Sequence, residues 1–132
     1  MRRIAIALSL LIASAGGAFA QGDAAAGETV FKKCAACHAV GEGAKTKVGP
    51  QLNNVLGRTA GTAEGFKYSP AMSKAGEGGL VWTPETLAEF LTKPGNFVKG
   101  TKMTFGGLPK PDDVANVIAY LQTFSPDYVP AQ

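Results

Sequence analysis

The feature that most constrains the folding of this 132-residue chain is the segment Cys34-Ala35-Ala36-Cys37-His38, which contains its only two cysteines and its only histidine. Four kinds of site use cysteines at this spacing: a thioredoxin-type redox pair, a zinc site, a structural disulfide and a covalent haem attachment site. The rest of the sequence discriminates between them.

Three of these alternatives fit the chain poorly. A thioredoxin-type pair follows a strand in an α/β pattern, whereas this pair follows a helical stripe. Zinc normally takes four ligands, and the sequence has no Cys or His besides Cys34, Cys37 and His38. A disulfide explains the cysteines but leaves the histidine without a role. The motif therefore predicts one haem c, bound covalently through Cys34 and Cys37, with His38 as an axial ligand of the iron.

The N-terminus has the pattern of an export signal. Arg2 and Arg3 precede an apolar stretch over residues 4–15, and Ala18-Phe19-Ala20 supplies small residues at a cleavage site. We expect residues 1–20 to be removed and residues 21–132 to form one periplasmic domain. A retained membrane anchor is the alternative, but the apolar stretch is shorter than the ~20 residues that a spanning helix needs.

The net charge gives no evidence for a nucleic-acid partner. The formal charge of +3 includes Arg2 and Arg3, so the chain without residues 1–20 carries only +1. Two ionised haem propionates would cancel this surplus. We therefore expect no binding to nucleic acid, and only the distribution of charge can indicate a partner.

Apolar periodicity predicts an all-α fold. No alternating run is long enough for a strand, and about half of the chain without residues 1–20 is predicted to form loops. The first helix places Gly27, Val30, Phe31 and Cys34 on one face, with Asp23 as its N-cap and Lys32 and Lys33 in its last turn. The remaining helices are predicted to run from Ser69-Pro70 to Gly76, from Thr83-Pro84 to Pro94-Gly95, and from Pro111 to Ser125-Pro126.

The sixth iron ligand is the main open question. With a single histidine, bis-histidine ligation is excluded, which leaves methionine, lysine, an external molecule or no ligand. Met72 lies on a predicted short helix, where a buried thioether is ordinary core packing. Met103 lies in a loop without helical periodicity, where an ordered apolar residue needs an anchor. We favour Met103, and a thioether ligand predicts a raised reduction potential.

Ordered segments along nearly the whole chain resemble the class I c-type cytochromes of the mitochondrial type, as in the soluble cytochrome c of a bacterium. These segments are Phe31 to His38, Val48 to Leu52, Gly57-Arg58, Gly65 to Tyr68, Trp82, Gly100 to Met103 and Ile118 to Leu121. The resemblance implies a small cytochrome c fold wrapped around one covalent haem. It also implies a monomeric one-electron carrier with His38 and Met103 as axial ligands.

The resemblance also implies roles for individual residues. Gly27 and Phe31 would meet Tyr120 where the first and last helices cross, because glycine allows a close backbone approach. The carbonyl of Pro50 would accept a hydrogen bond from His38. The donors to the inner haem propionate would be Arg58, Tyr68 and Trp82.

Two residues depart from the family pattern on the methionine side of the haem. Phe90 stands where mitochondrial members have a tyrosine, and Met72 stands where they have an asparagine. We expect a smaller and drier hydrogen-bond network there. Because of these two departures, the family pattern does not fix the reduction potential of the haem, and Met72 stays a minor candidate for the sixth ligand.

Lysines concentrate in the two segments that carry the proposed iron ligands, residues 30–50 and 93–110, whereas most acids lie elsewhere. This asymmetry predicts a positive surface around the haem edge that steers the protein towards acidic partners. The predicted docking residues are Lys32, Lys33, Lys47, Lys99, Lys102 and Lys110. Solubilising loop lysines are the alternative interpretation.

The resemblance implies a cytochrome bc complex as electron donor. The acceptor would be a terminal oxidase of a respiratory chain, a photosynthetic reaction centre or another periplasmic redox enzyme. Two other functional classes stay open. A peroxidase-like or ligand-binding haem enzyme needs an open sixth site and usually a polar distal group, for which the chain has no second histidine. A tethered subunit of a larger complex would retain the N-terminal segment.

Overall fold

A computed structural model describes residues 22–130, so the predicted signal segment 1–20 lies outside the described residues. Within residues 22–130 the chain forms five helices: α1 (Ala24–Phe31), α2 (Pro70–Glu77), α3 (Pro84–Thr92), α4 (Pro94–Phe97) and α5 (Pro111–Gln122). That range has no strand, only an isolated antiparallel bridge between Thr59 and Val81. The all-α prediction is confirmed. None of these helices is long and apolar enough to span a membrane.

Helices α1, α2 and α3 begin where their caps predict. The Asp23 carboxylate accepts from two backbone N–H groups in the first turn of α1. The Ser69 hydroxyl accepts from the backbone N–H of Met72, at 3.1 Å. At the start of α3, Thr83 and Thr86 form a reciprocal capping box. These side chains satisfy amide donors that the helices themselves leave without partners.

The first two helices end differently from the predictions. Helix α1 ends at Phe31, so Lys32 is its C-cap, and the placement of Lys32 and Lys33 in the last turn was wrong. Beyond it the chain continues in hydrogen-bonded turns as far as His38. Helix α2 continues past Gly76 to Glu77. A Cβ at Gly76 would overlap the backbone of Ala60, so this glycine serves close packing and does not end the helix.

The predicted ends of the later helices also differ from the observed ones. Helix α3 stops before Pro94 as predicted, but Pro94 then opens the short helix α4. This agrees with the preference of proline for the first turn of a helix. Helix α5 ends at Gln122, before the predicted boundary at Ser125.

Helices α1 and α5 cross in direct backbone contact. A Cβ at Gly27 would overlap the backbone of Asn116 and lie 2.8 Å from the Cβ of Tyr120. The rings of Phe31 and Tyr120 pack with centroids 5.4 Å apart, and the N–H of Asp23 donates to Asn116 Oδ1 at 2.8 Å. The helix crossing implied by the resemblance is therefore confirmed.

The hydrophobic core is built around a cavity. Helix α5 contributes its buried stripe of Val114, Val117, Ile118 and Leu121. Several core side chains also line the cavity, namely Phe31, Val55, Leu87, Phe90, Val117 and Leu121. These residues contact other protein side chains on one side and face the cavity on the other. A group that fills the cavity would therefore complete their packing and become part of the core.

Candidate haem site

The cavity has a volume of about 320 Å³, within the range of about 300–1,000 Å³ that is typical of cofactor sites. All the predicted cofactor residues line it: Cys34, Cys37, His38, Pro50, Arg58, Tyr68, Trp82 and Met103. Some of these residues lie in the hydrogen-bonded turns that follow α1, and the others lie in the loops between the helices. The fold thus brings together residues from most of the chain's length.

His38 is held in one orientation by two neighbours. Its Nδ1 lies 2.7 Å from the carbonyl oxygen of Pro50, which can only accept, so Nδ1 carries the proton and Nε2 is left with a lone pair. A Cβ at Gly49 would lie 2.5 Å from the ring carbon Cε1, so only glycine fits beside the imidazole. Burial lowers the pKa of His38, against the opposing effect of the Pro50 hydrogen bond. The neutral imidazole is the form that binds metals.

Cys34 and Cys37 are half-buried thiols on one tight turn. The N–H groups of Cys37 and His38 both donate to the carbonyl of Cys34, at 3.1 and 2.9 Å. Burial raises the pKa of the Cys34 thiol, although nearby Lys33 acts in the opposite direction. The turn presents both sulfurs and the imidazole to the same cavity.

The alternatives to haem attachment find no support in the structure. Among residues 22–130, no group of three or more His, Cys, Asp or Glu side chains is placed to hold a metal ion, so a zinc site has no ligand set. The cysteine turn follows helix α1 and has no preceding strand, unlike a thioredoxin-type pair.

Both candidate methionines line the cavity. Met103 is half-buried in a non-helical segment, and its N–H donates to Thr101 Oγ1 at 3.3 Å. Met72 is buried in the core on α2, as predicted, and it also lines the cavity. The lining alone does not choose between the two sulfurs.

Three side chains with polar groups, those of Arg58, Tyr68 and Trp82, line the cavity. The Arg58 guanidinium donates to the carbonyls of Asn53 and Gln51, at 3.3 and 3.2 Å, and burial lowers its pKa. The Tyr68 oxygen accepts from a backbone N–H at 3.0 Å, which leaves its own O–H to donate. Trp82 is buried. Its backbone N–H donates to the backbone carbonyl of Arg58 at 2.9 Å.

Phe90, which lines the cavity, belongs to an aromatic cluster without hydroxyl groups. The ring of Phe90 lies 5.0 Å from Trp82 and 6.3 Å from Phe97, centroid to centroid. Phe90 and Met72 both line the cavity, at the two positions where the family pattern has polar side chains. Neither of these two side chains offers the cavity a strong hydrogen-bonding group.

All six predicted docking lysines are exposed, and two of them, Lys33 and Lys102, also line the cavity. Lys47 donates to the carbonyl of Ala35 at 2.7 Å. Lys102 donates to the carbonyl of Lys67, and its Nζ lies 4.5 Å from the ring centre of Phe66. These contacts were not predicted, because the sequence around a loop lysine does not indicate which group its ammonium contacts.

The donor set fits a haem. Paired thiols can form thioether bonds, an imidazole nitrogen and a thioether sulfur can bind iron, and Arg58, Tyr68 and Trp82 offer donors to a carboxylate. The remaining lining is mostly apolar, as the macrocycle requires. We therefore find the residues compatible with one covalently attached haem.

Comparison with known proteins agrees with this site. The family model for cytochrome c matches residues 24–125. Cytochrome c2 of Agrobacterium tumefaciens is 54% identical over 112 residues, covering 85% of this chain and 100% of that protein. Cytochrome c2 of Blastochloris viridis is 46% identical over 127 residues, covering 96% of this chain and 97% of the relative.

Solved structures show the same likeness. Cytochrome c2 from Rhodospirillum centenum has a TM-score of 0.77 at 47% identity, covering 80% of this chain and 100% of that chain. Cytochrome cH from Methylobacterium extorquens has a TM-score of 0.71 at 45% identity, covering 77% and 99%. This chain therefore belongs to the cytochrome c family as a class I bacterial c-type cytochrome, an electron-transfer protein with one covalently attached haem c.

Proposed function

We propose that this protein is a periplasmic one-electron carrier with His38 and Met103 as the axial ligands of its haem iron. The observation that carries the proposal is the state of the single histidine: Pro50 engages Nδ1, so Nε2 is the available nitrogen in a cavity that Met103 also lines. Relatives named cytochrome c2 support the carrier role.

The haem supplies a reversible one-electron change at iron when bound. The protein would hold two fixed ligands in both oxidation states, so that little rearrangement would accompany transfer. The Pro50 hydrogen bond orients His38, and a Met103 thioether on the iron would favour the ferrous state and so raise the reduction potential. Phe90 and Leu87 are buried and line the cavity, where they would shield a bound haem from water, and Arg58 would pair with a propionate.

The ligand assignment can be tested with two matched variants. Oxidised wild-type protein is expected to show the far-red sulfur-to-iron charge-transfer band. Met103→Ala should abolish the band, whereas Met72→Ala, which removes a thioether from the same cavity, should retain it. The opposite pattern would assign the ligand to Met72. Ready carbon monoxide binding by the reduced wild type would favour a ligand-binding haem enzyme instead.

The proposed donor is a cytochrome bc complex, and the proposed acceptors are a terminal oxidase, a photosynthetic reaction centre or another periplasmic redox enzyme. The exposed lysines Lys32, Lys33, Lys47, Lys99, Lys102 and Lys110 would steer docking on acidic surfaces of these partners. Rates of electron transfer with isolated membrane complexes should fall as salt is added. Rates independent of ionic strength would contradict electrostatic docking.

The proposed periplasmic location depends on removal of residues 1–20. The intact mass of the purified protein checks this directly. A mass equal to the chain from Gln21 plus one haem supports a cleaved signal. A mass that includes residues 1–20 would favour the tethered form.

A further inference from the structure

The amide side chain of Asn53 bonds to both backbone polar groups of Gly41, 12 positions earlier in the chain. Asn53 Oδ1 accepts from the N–H of Gly41 at 2.8 Å, and Nδ2 donates to the carbonyl of Gly41, also at 2.8 Å. Asn53 is half-buried, and its own N–H donates to Gln51 Oε1 at 2.7 Å. Because an amide can donate and accept at once, Asn53 joins the two segments as a backbone pair would.

The Asn53 bonds extend a series of hydrogen bonds that runs past His38. Two backbone bonds belong to the same series, donated by Gly49 to Cys37 at 2.8 Å and by Leu52 to Ala39 at 3.0 Å. Pro50 lies between these two donors, with its carbonyl oxygen 2.7 Å from His38 Nδ1. The position of that oxygen therefore depends on how firmly the segment on each side of Pro50 is held, and Asn53 holds the C-terminal side.

The backbone of Asn53 also faces the other polar part of the cavity. Its carbonyl accepts from the Arg58 guanidinium at 3.3 Å. Asn53 thus contacts the segment that contains His38 through its side chain, and the cavity-lining Arg58 through its main chain. A half-buried loop residue bonded in both directions is placed to fix the geometry of the segment that it ends.

We propose that Asn53 is a positioning residue for His38, and that its amide keeps the Pro50 carbonyl on His38 Nδ1. The inference rests on the ligation by His38 proposed above. The hydrogen bond to Pro50 fixes the orientation of the imidazole and its strength as a metal ligand. Without the amide, the segment loses its two bonds to Gly41, so conformations in which Pro50 has moved away become more populated.

Exchange of the His38 Nδ1 proton with solvent, followed by NMR of the reduced holoprotein, tests the proposal. The exchange rate reports how often the hydrogen bond to Pro50 opens. The backbone N–H of Ile118, a buried residue of α5, reports opening of the whole fold. The ratio of the two rates, His38 over Ile118, is therefore insensitive to a general loss of stability. This ratio should rise about tenfold in Asn53→Ala, which loses two hydrogen bonds.

Asn54→Gly is the matched control, because it removes the same amide from the next residue, which is exposed. The φ of Asn54 is 57°, a conformation that glycine adopts without strain. Its ratio should stay within about twofold of the wild type. Asn53→Asp keeps an acceptor for the N–H of Gly41 but cannot donate to the carbonyl, so its ratio should lie between those of the wild type and Asn53→Ala.

The positioning role is overturned if Asn53→Ala has the same ratio as the wild type and Asn54→Gly. Should Asn53→Ala not fold, a wild-type ratio in Asn53→Asp overturns the role instead.

The NMR spectrum of the reduced wild type separates this inference from the proposed function. The ring protons of an imidazole on haem iron lie close to the face of the macrocycle, so its ring current shifts them far upfield. A wild type without these upfield resonances refutes ligation by His38. A wild type that has them, combined with unchanged ratios in the Asn53 variants, leaves ligation intact and refutes only the positioning role.

Discussion

Replacement of Gly27 by alanine should weaken the crossing of α1 and α5. Alanine is favoured over glycine within a helix by about 1 kcal/mol. Against this, overpacking typically costs about 1–3 kcal/mol, and here the new Cβ would overlap the Asn116 backbone, which cannot rotate away as a flexible side chain could. We place the overpacking cost at about 3 kcal/mol, the top of that range. The helix preference of alanine offsets about 1 kcal/mol of it, so the free energy of unfolding should fall by about 2 kcal/mol. This is a large share of the ~5–15 kcal/mol typical of a domain.

Guanidinium chloride unfolding of the holoprotein, followed by far-UV circular dichroism, measures the loss. Gly95→Ala is the matched control, because Gly95 also lies in a helix but a Cβ there meets no heavy atom within 4 Å. We expect the control to be unchanged or stabilised by up to about 1 kcal/mol. If Gly27→Ala proves as stable as Gly95→Ala, the crossing does not depend on a glycine and the reasoning is refuted.

Three further predictions concern the core, a helix cap and the cofactor. Leu108→Ala should lower the free energy of unfolding by about 2–5 kcal/mol in the same assay, because this side chain is only 1% exposed. Thr83→Ala should cost about 1 kcal/mol by removing the capping box of α3, and an unchanged stability would show that the cap contributes nothing. A Cys34→Ala/Cys37→Ala double variant without haem should lose its near-UV circular dichroism, because core side chains line the cavity. A native near-UV spectrum from that variant would contradict the structural role of the haem.

Local signals in the sequence located the starts of α1, α2, α3 and α5 and the cysteine motif of the haem site. Asp23, Ser69 and Thr83 act as caps, since capping depends on side chains within a few residues of the amides they satisfy. The cysteine motif was equally readable, because its three reactive groups lie within one turn. The hydrogen bond from His38 to Pro50 followed only from the family resemblance, since the two residues are 12 positions apart.

What the sequence did not reveal depends on contacts between distant segments. Gly76 is typical of a helix end, but the approach of Ala60 requires a glycine inside α2. The role of Met72 in the cavity lining depends on how α2 sits against the rest of the fold. The contact of Lys102 with the Lys67 carbonyl spans 35 positions and involves a side chain with many rotamers, which no local pattern specifies.

The pairing of α1 with α5 is expected to form late in folding. Its contacts join residues as much as 93 positions apart, from Asp23 to Asn116, so the closure of a long loop must precede them. While the chain emerges residue by residue, its first helix has no packing partner. Until α5 is in place, the cavity beside Cys34 and Cys37 lacks the wall that Val117 and Leu121 supply. We therefore expect the two thiols to be easiest to reach before the first and last helices pair.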